Sequence, residues 1–167
     1  IRPLLPIPPD NASRGESIAA GLSPGLLGHN HSPGLEVCPN GDLLAIFFTS
    51  AATRGGENAP SVMLVSTRLR YGAQQWDMPE MFVKFADANT VSPCLYKENG
   101  QLFCFFGNTF YEDAYPFQWT TSTDNGATWS AVQFPQIAGE VGPHTRQPIS
   151  NVFRGHDGVL YVPTEGK

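Results

Sequence analysis

The sequence is poor in charge. Lys, Arg, Asp and Glu make up 15% of its 167 residues, against about a quarter in an ordinary globular domain. Ten basic residues face fifteen acidic ones, for a net charge of −5, and nowhere do Lys or Arg form a run able to neutralise successive phosphates. The expectation is therefore a protein that binds neither nucleic acid nor membrane. Long hydrophobic runs are lacking too, since no stretch approaches the ~18–20 apolar residues of a transmembrane helix. The chain starts at Ile1 without the basic and apolar regions of a signal peptide, so it reads as mature or trimmed material. Cysteine is scarce: Cys38, Cys94 and Cys104 show no C-x-x-C spacing, which leaves a zinc site or thioredoxin-like motif without ligands. Cys94 and Cys104 flank Asn99-Gly100, and two readings are open, a pair facing across a hairpin or buried free thiols. What abounds instead is glycine (17), proline (15) and aromatics, with eleven Phe, five Tyr and three Trp. Long helices need few internal prolines and much Ala, Leu, Glu and Lys, so the expected class is all-β, built of short strands and turns.

A repeat organises the chain. Residues 32–48, SPGLEVCPNGDLLAIFF, are echoed by SPCLYKENGQLFCFFG at 92–107 and by QPISNVFRGHDGVLYVP at 147–163. The anchors are Pro33, Pro93 and Pro148, then Gly41, Gly100 and Gly158, then Leu43, Leu102 and Leu160. The prolines are 60 and 55 residues apart and the glycines 59 and 58. Asn40-Gly41, Asn99-Gly100 and Asp157-Gly158 between apolar runs are hairpin signals, because Asn and Gly tolerate positive φ. Further strands are expected at 61–67 and 117–122, with short extended pieces at 77–84 and 131–135. Four strands per repeat describe a propeller blade.

The sharpest motif is Ser122, Asp124, Gly126 and Trp129 in S-x-D-x-G-x-x-W, the Asp-box. Its chemistry is structural. Ser122 and Asp124 cap a tight turn, Gly126 supplies the backbone angle, and Trp129 packs beneath it. One period earlier, Ser66, Gly72 and Trp76 read as a degenerate, longer copy with Arg68 where Asp is expected. With these features the sequence resembles the sialidase-like, BNR-repeat β-propellers from His29 onward. The family's opening Arg-Ile-Pro is matched by His31-Ser32-Pro33, so His31 stands where the resemblance puts a carboxylate-gripping Arg, and ordinary sialidase activity is not implied.

In a propeller the innermost strands line the central axis. Counting back two residues from each anchoring Pro gives His31, Val91 and Arg146, and counting back four gives His29, Asn89 and His144. Histidine suits proton transfer and Arg146 a carboxylate, so His29 and His31 are the candidate catalytic residues and Arg146, His144 and Asn89 candidate substrate contacts. Against this stands the plainer reading of turn and inter-blade hydrogen bonding. Two loops extend the candidate site. Residues 50–60 carry Arg54 as a contact and Glu57 as a proton donor, or form a simple rim loop. Residues 108–117 offer Tyr111 and Tyr115 as stacking platforms and Glu112 or Asp113 as hydroxyl acceptors, or fill gaps between blades. His156 reads as a solvated turn residue. No cofactor is demanded, and His29 with His31 lacks a matched carboxylate for a metal site.

Three functions are open. One is an enzyme cleaving a terminal glycosidic bond of an acidic glycan, in line with the rhamnose–glucuronate and ulvan-cleaving propellers that the resemblance brings in. The others are a true exo-sialidase and a non-catalytic glycan-binding propeller. The sequons Asn11-Ala12-Ser13 and Asn30-His31-Ser32 are compatible with a secreted or periplasmic protein. A closed propeller needs roughly four to eight blades, whereas this length supplies two and a half to three. The expected organisation is an extended segment over 1–28, then an incomplete propeller over 29–167 with repeats starting near 29, 89 and 144. A complementary chain or segment is expected to supply the remainder of a six- or seven-bladed ring.

Overall fold

The computed structural model describes residues 11–20, 26, 28–50, 59–86, 88–109, 114–149 and 151–166. Among them the fold is all-β apart from one short helix, α1 (Arg14–Ala19). That helix lies within the segment preceding the first repeat. Its signal is a capping box, in which the Glu16 N–H donates to Ser13 Oγ and the Ser13 N–H to Glu16 Oε2. No helix among the described residues is long and apolar enough to cross a membrane.

The first sheet is an antiparallel meander of β1 (His29–Val37), β2 (Leu43–Ser50), β3 (Val62–Leu69) and β4 (Glu80–Val83). The second contains β5 (Thr90–Glu98), β6 (Gln101–Asn108) and β7 (Gln118–Ser122), and a Trp119–Gln133 bridge stands where the fourth strand was expected. A third hairpin of β8 (Phe153–Arg154) and β9 (Leu160–Tyr161) is extended by a Pro148–Thr164 bridge. All three expected hairpins form. Asn99 and Gly100 both take positive φ, 50° and 79°. This is the two-residue turn whose twist matches the flanking strands, and it favours Asn-Gly for that reason. At 38–42 and 155–159 the turn is wider: Cys38 N–H donates to Asp42 O and Gly155 N–H to Val159 O.

Burial explains the fully apolar run in β2. Leu44, Ile46 and Phe48 join Val62 and Leu64 in one core with Val91, Leu95, Leu102, Cys104 and Phe106 of the second sheet. Phe47 and Val65 point to the opposite face, against Leu26. The second sheet is likewise covered on both sides, because Cys94 and Phe105 pack with Val152, and Phe103, Phe117, Trp119, Leu160 and Val162 lie against them. Sheets buried on both faces stack like blades, and each fully buried Phe contributes about 1.5–3 kcal/mol. The described sheets do not close into a ring.

Register decides one open reading and corrects one expectation. Cys104 pairs with Leu95 while Cys94 pairs with Phe105. A period of two therefore sends the two thiols to opposite faces, and all three cysteines are buried. The degenerate turn also shifts. Leu43 faces Leu69 and Leu102 faces Ser122, so Leu69 and not Ser66 is the counterpart of Ser122. Arg68 matches Thr121, and both loops run seven residues to their Trp.

Candidate functional site

The inner strands β1 and β5 share one irregularity. Each has a β-bulge at its Ser-Pro step, between His31 and Gly34 and between Val91 and Cys94. Ser32 and Ser92 there hold φ of +49° and +53°. Such a left-handed, non-glycine residue costs about 1–3 kcal/mol and persists only where surroundings over-determine it. The surroundings are tight: a Cβ on Gly34 would lie 2.8 Å from Pro93 O, and one on Gly107 only 1.5 Å from Arg146 O. Gly107 is therefore the residue that lets the third repeat approach the second.

This approach gathers the three repeats around one cavity of about 320 Å³, lined by Ser32, Ser92 and Gln147 with Pro33, Pro93 and Pro148. This cavity is lined by the residues immediately before each proline, one position nearer than the residues two back. The bulge is the reason, since two residues on β1 and β5 oppose one on the partner strand and the facing of the side chains is re-aimed. The residues two back lean elsewhere. The His31 ring packs edge-on against Phe48 at 5.5 Å and lies 5.5 Å from His29, both imidazoles being exposed. Val91 is buried in the core between the sheets, and Arg146 lies over Gly107. Ser32 Oγ sits 3.4 Å from His31 Nδ1.

The other candidates divide. Asn89 is buried, its N–H donating to Thr109 Oγ1 and its amide to Ala59 O, so it fastens the ends of neighbouring strands. His144 Nδ1 lies 3.1 Å from Gly142 O. A carbonyl only accepts, so Nδ1 carries a proton and donates it. The ring's Nε2 is shut off from solvent and has no hydrogen-bond partner among the described residues. Tyr115 is half-buried with its ring 5.1 Å from Phe134, which fits gap filling better than an open platform. His156 is exposed in its turn. Arg54, Glu57, Tyr111, Glu112 and Asp113 lie outside the described residues. No group of three or more His, Cys, Asp or Glu among the described residues is placed to hold a metal ion.

The Asp-box forms at the other end of the strands. Ser122 Oγ donates to Asp124 Oδ1 and accepts the Gly126 N–H, while Asp124 also accepts Thr128 N–H and Oγ1–H at 2.9 and 2.6 Å. These donors, the Thr128 hydroxyl foremost, hold the Asp124 carboxyl down at about 2. Trp129 Nε1 donates to Gly126 O, and its ring meets Phe82 at 5.0 Å. Sequence reasoning missed what this turn rests on: Arg68, which ion-pairs with Asp42 at 3.0 Å and donates to Asn125 O at 2.5 Å. It also missed Ser32, Ser92, Gln147 and Glu165. Burial pushes the thiols of Cys38, Cys94 and above all Cys104 up, away from thiolate.

Two solved structures share this architecture. A Hadza microbial sialidase, Hz136, superposes with a TM-score of 0.52 at 14% identity, over 64% of this chain and 26% of its own. A protein of unknown function from Dyadobacter fermentans superposes with a TM-score of 0.58 at 18% identity, over 79% and 45%. The chain thus spans less than half the length of either. Among curated proteins, none matches the chain in sequence. Residues 41–167 match the BNR repeat-like domain, and with its three repeated hairpins and intact Asp-box the chain belongs to the BNR repeat-like domain family, with the fold of the sialidase-like proteins.

Proposed function

We propose that this chain is part of a secreted or periplasmic glycan-acting enzyme, cleaving a terminal glycosidic bond of an acidic glycan at the end of the repeats that carries His29, His31, His144 and Arg146. The observation that carries the reading is the meeting of three repeats at one small polar cavity, with a histidine held through Nδ1 by a backbone carbonyl two residues from an arginine on the third repeat. Arg146 offers a planar fork of donors for a sugar carboxylate. A histidine then takes the proton from the carbon next to a uronate carboxyl. The electron pair of that C–H bond forms a double bond as the glycosidic oxygen leaves the neighbouring carbon and is protonated. In a hydrolytic variant, histidine protonates the leaving oxygen and water adds to the anomeric carbon. Arg54 as a contact and Glu57 as a proton donor belong to this reading, as do Tyr111 and Tyr115 at the rim and a complementary segment supplying further blades.

The test is incubation of the whole protein with oligosaccharides whose terminal sugar is linked to O4 of a glucuronate, and with sialate-terminated oligosaccharides. Ultraviolet absorbance of an unsaturated uronate marks a lyase, and a new reducing end without it marks a hydrolase. Free sialic acid, lost in Arg146→Ala, marks an exo-sialidase. His31→Ala is expected to abolish turnover with little change in melting temperature, and retained turnover refutes its role. Binding to a glycan array without any product makes the protein a glycan-binding propeller instead.

A further inference from the structure

Gln147, one residue before the third anchoring proline, has its amide read from both ends. Ser92 Oγ lies 3.0 Å from Gln147 Oε1, and an amide oxygen only accepts, so the serine hydroxyl is the donor. This fixes the flip of the amide, and Nε2 points the other way, donating to Glu165 Oε2 at 3.2 Å. Thr145 Oγ1 reaches the same carboxylate oxygen at 3.2 Å. The backbone brackets the residue as well, with Glu165 N–H donating to Gln147 O at 3.0 Å and Thr145 N–H to Glu165 O at 2.8 Å. Both side-chain donors converge on Oε2. Oε1 receives none among the described residues, and Glu165 is exposed.

The start of this chain of bonds is the strained residue of the second repeat. Ser92 holds φ of +53° immediately before Pro93, beside the axial cavity, and is itself buried. Backbone strain of this kind concentrates where a side chain is held for a purpose. A carboxylate fixed through one oxygen and open through the other is suited to accept hydroxyl donors, and charge-assisted bonds of that type are the stronger ones.

We propose that Glu165 is a ligand-contacting carboxylate accepting the hydroxyls of a sugar through Oε1, with Ser92 and Gln147 as the residues that position it. The inference rests on the reading of this end of the repeats as a glycan site, and it names the group there that recognises the neutral, hydroxyl-bearing edge of the sugar. Glu165 complements Arg146, which suits the acidic edge.

The experiment uses the whole protein on an array of glucuronate-terminated, sialate-terminated and neutral oligosaccharides, followed by titration calorimetry with the best-bound array member. Glu165→Gln is expected to weaken binding about tenfold or more, the scale of one charge-assisted bond of about 1.4 kcal/mol. Ser92→Ala is expected to weaken it severalfold. A readout without sugar accompanies this: the Gln147 side-chain amide protons, protected from exchange in the unaltered protein, exchange rapidly in Ser92→Ala. Binding by the unaltered protein with Glu165→Gln unchanged overturns the assignment of Glu165 and leaves the glycan reading standing. Unprotected Gln147 amide protons in the unaltered protein overturn the positioning roles. An array with no bound member overturns both the glycan reading and this inference.

Discussion

Arg68 is the residue whose removal most directly tests how the two sheets are joined. Its side chain is 15% exposed and its partner Asp42 11%. One nitrogen meets Asp42 Oδ2 at 3.0 Å in the turn of the first hairpin, and the other meets Asn125 O at the tip of the Asp-box in the second sheet. Arg68→Met keeps the apolar stem and deletes both bonds. A hydrogen bond to a charged group contributes about 1.5–3 kcal/mol. Asp42 keeps two donors, the Tyr71 N–H at 2.8 Å and the Asn40 amide at 3.0 Å, so the loss is less than that of an ion pair broken in a dry core, which runs to about 3–5 kcal/mol. The expected cost is about 2–3 kcal/mol, or a fall of roughly 5–10 °C in melting temperature for a chain of this size. Urea and thermal unfolding measure it. A double-mutant cycle with Asp42→Asn should return a coupling of about 1–2 kcal/mol. The Asp42 carboxyl is held below the ordinary range first by the Tyr71 N–H and further by Asn40 and Arg68. A depressed carboxyl stabilises the fold above its unfolded pKa of about 3.9 and loses that contribution as pH falls through the lower, folded value. Arg68→Met should move the acid-induced loss toward higher pH. A cost below about 0.5 kcal/mol, or coupling near zero, would show the contact to behave as an ordinary surface pair and refute the reasoning.

Three other outcomes are expected. Gly107→Ala places a Cβ 1.5 Å from Arg146 O, so the third repeat must move. Unfolding should be easier by about 1–3 kcal/mol, and hydrogen exchange should speed up across residues 144–149 before it does in β2. Asp124, held at about 2, stabilises its turn above about pH 3.9 and loses that contribution as pH falls through about 2. Asp124→Asn should therefore lower the melting temperature at pH 7 and have little effect near pH 1.5, as read by circular dichroism. Gln118 is 1% exposed and neither end of its amide has a hydrogen-bond partner among the described residues. Gln118→Met should leave stability unchanged or raise it by up to about 1 kcal/mol, and a loss above about 1 kcal/mol in urea unfolding would contradict that bonding pattern.

What the sequence made legible was what rests on local chemistry. Positive φ at Asn99-Gly100 and the Asp-box turn admit few residue types, and three copies in series announce the repeat. The apolar run of β2 was legible as a strand, and its burial on both faces follows from the stacked sheets. Facing was not legible wherever a bulge intervened. One additional residue at Ser32-Pro33 and Ser92-Pro93 changes which side chains face the cavity between the repeats, which is lined by Ser32, Ser92 and Gln147 and not by the residues one position earlier. The two readings of Cys94 and Cys104 stayed open for a related reason, because nearness across a hairpin does not fix on which side of the sheet a thiol emerges. Glu165 was hidden because its partners Thr145 and Gln147 lie about twenty residues earlier in its own repeat, and Gln147 is in turn held by Ser92 of the second repeat.

The way the two sheets meet bears on how such a chain arises. Leu44 and Ile46 of β2 face forward into the second sheet, whereas their counterparts Phe103 and Phe105 face forward again, toward the third hairpin. The contact is head to tail, with the leading surface of each sheet against the trailing surface of the next. A duplicated copy of one sheet would already fit its parent without inventing a new interface. Substitutions then need only tune polar positions such as Ser92, Gln147 and Glu165 for the copies to diverge in chemistry while the stacking between them is inherited.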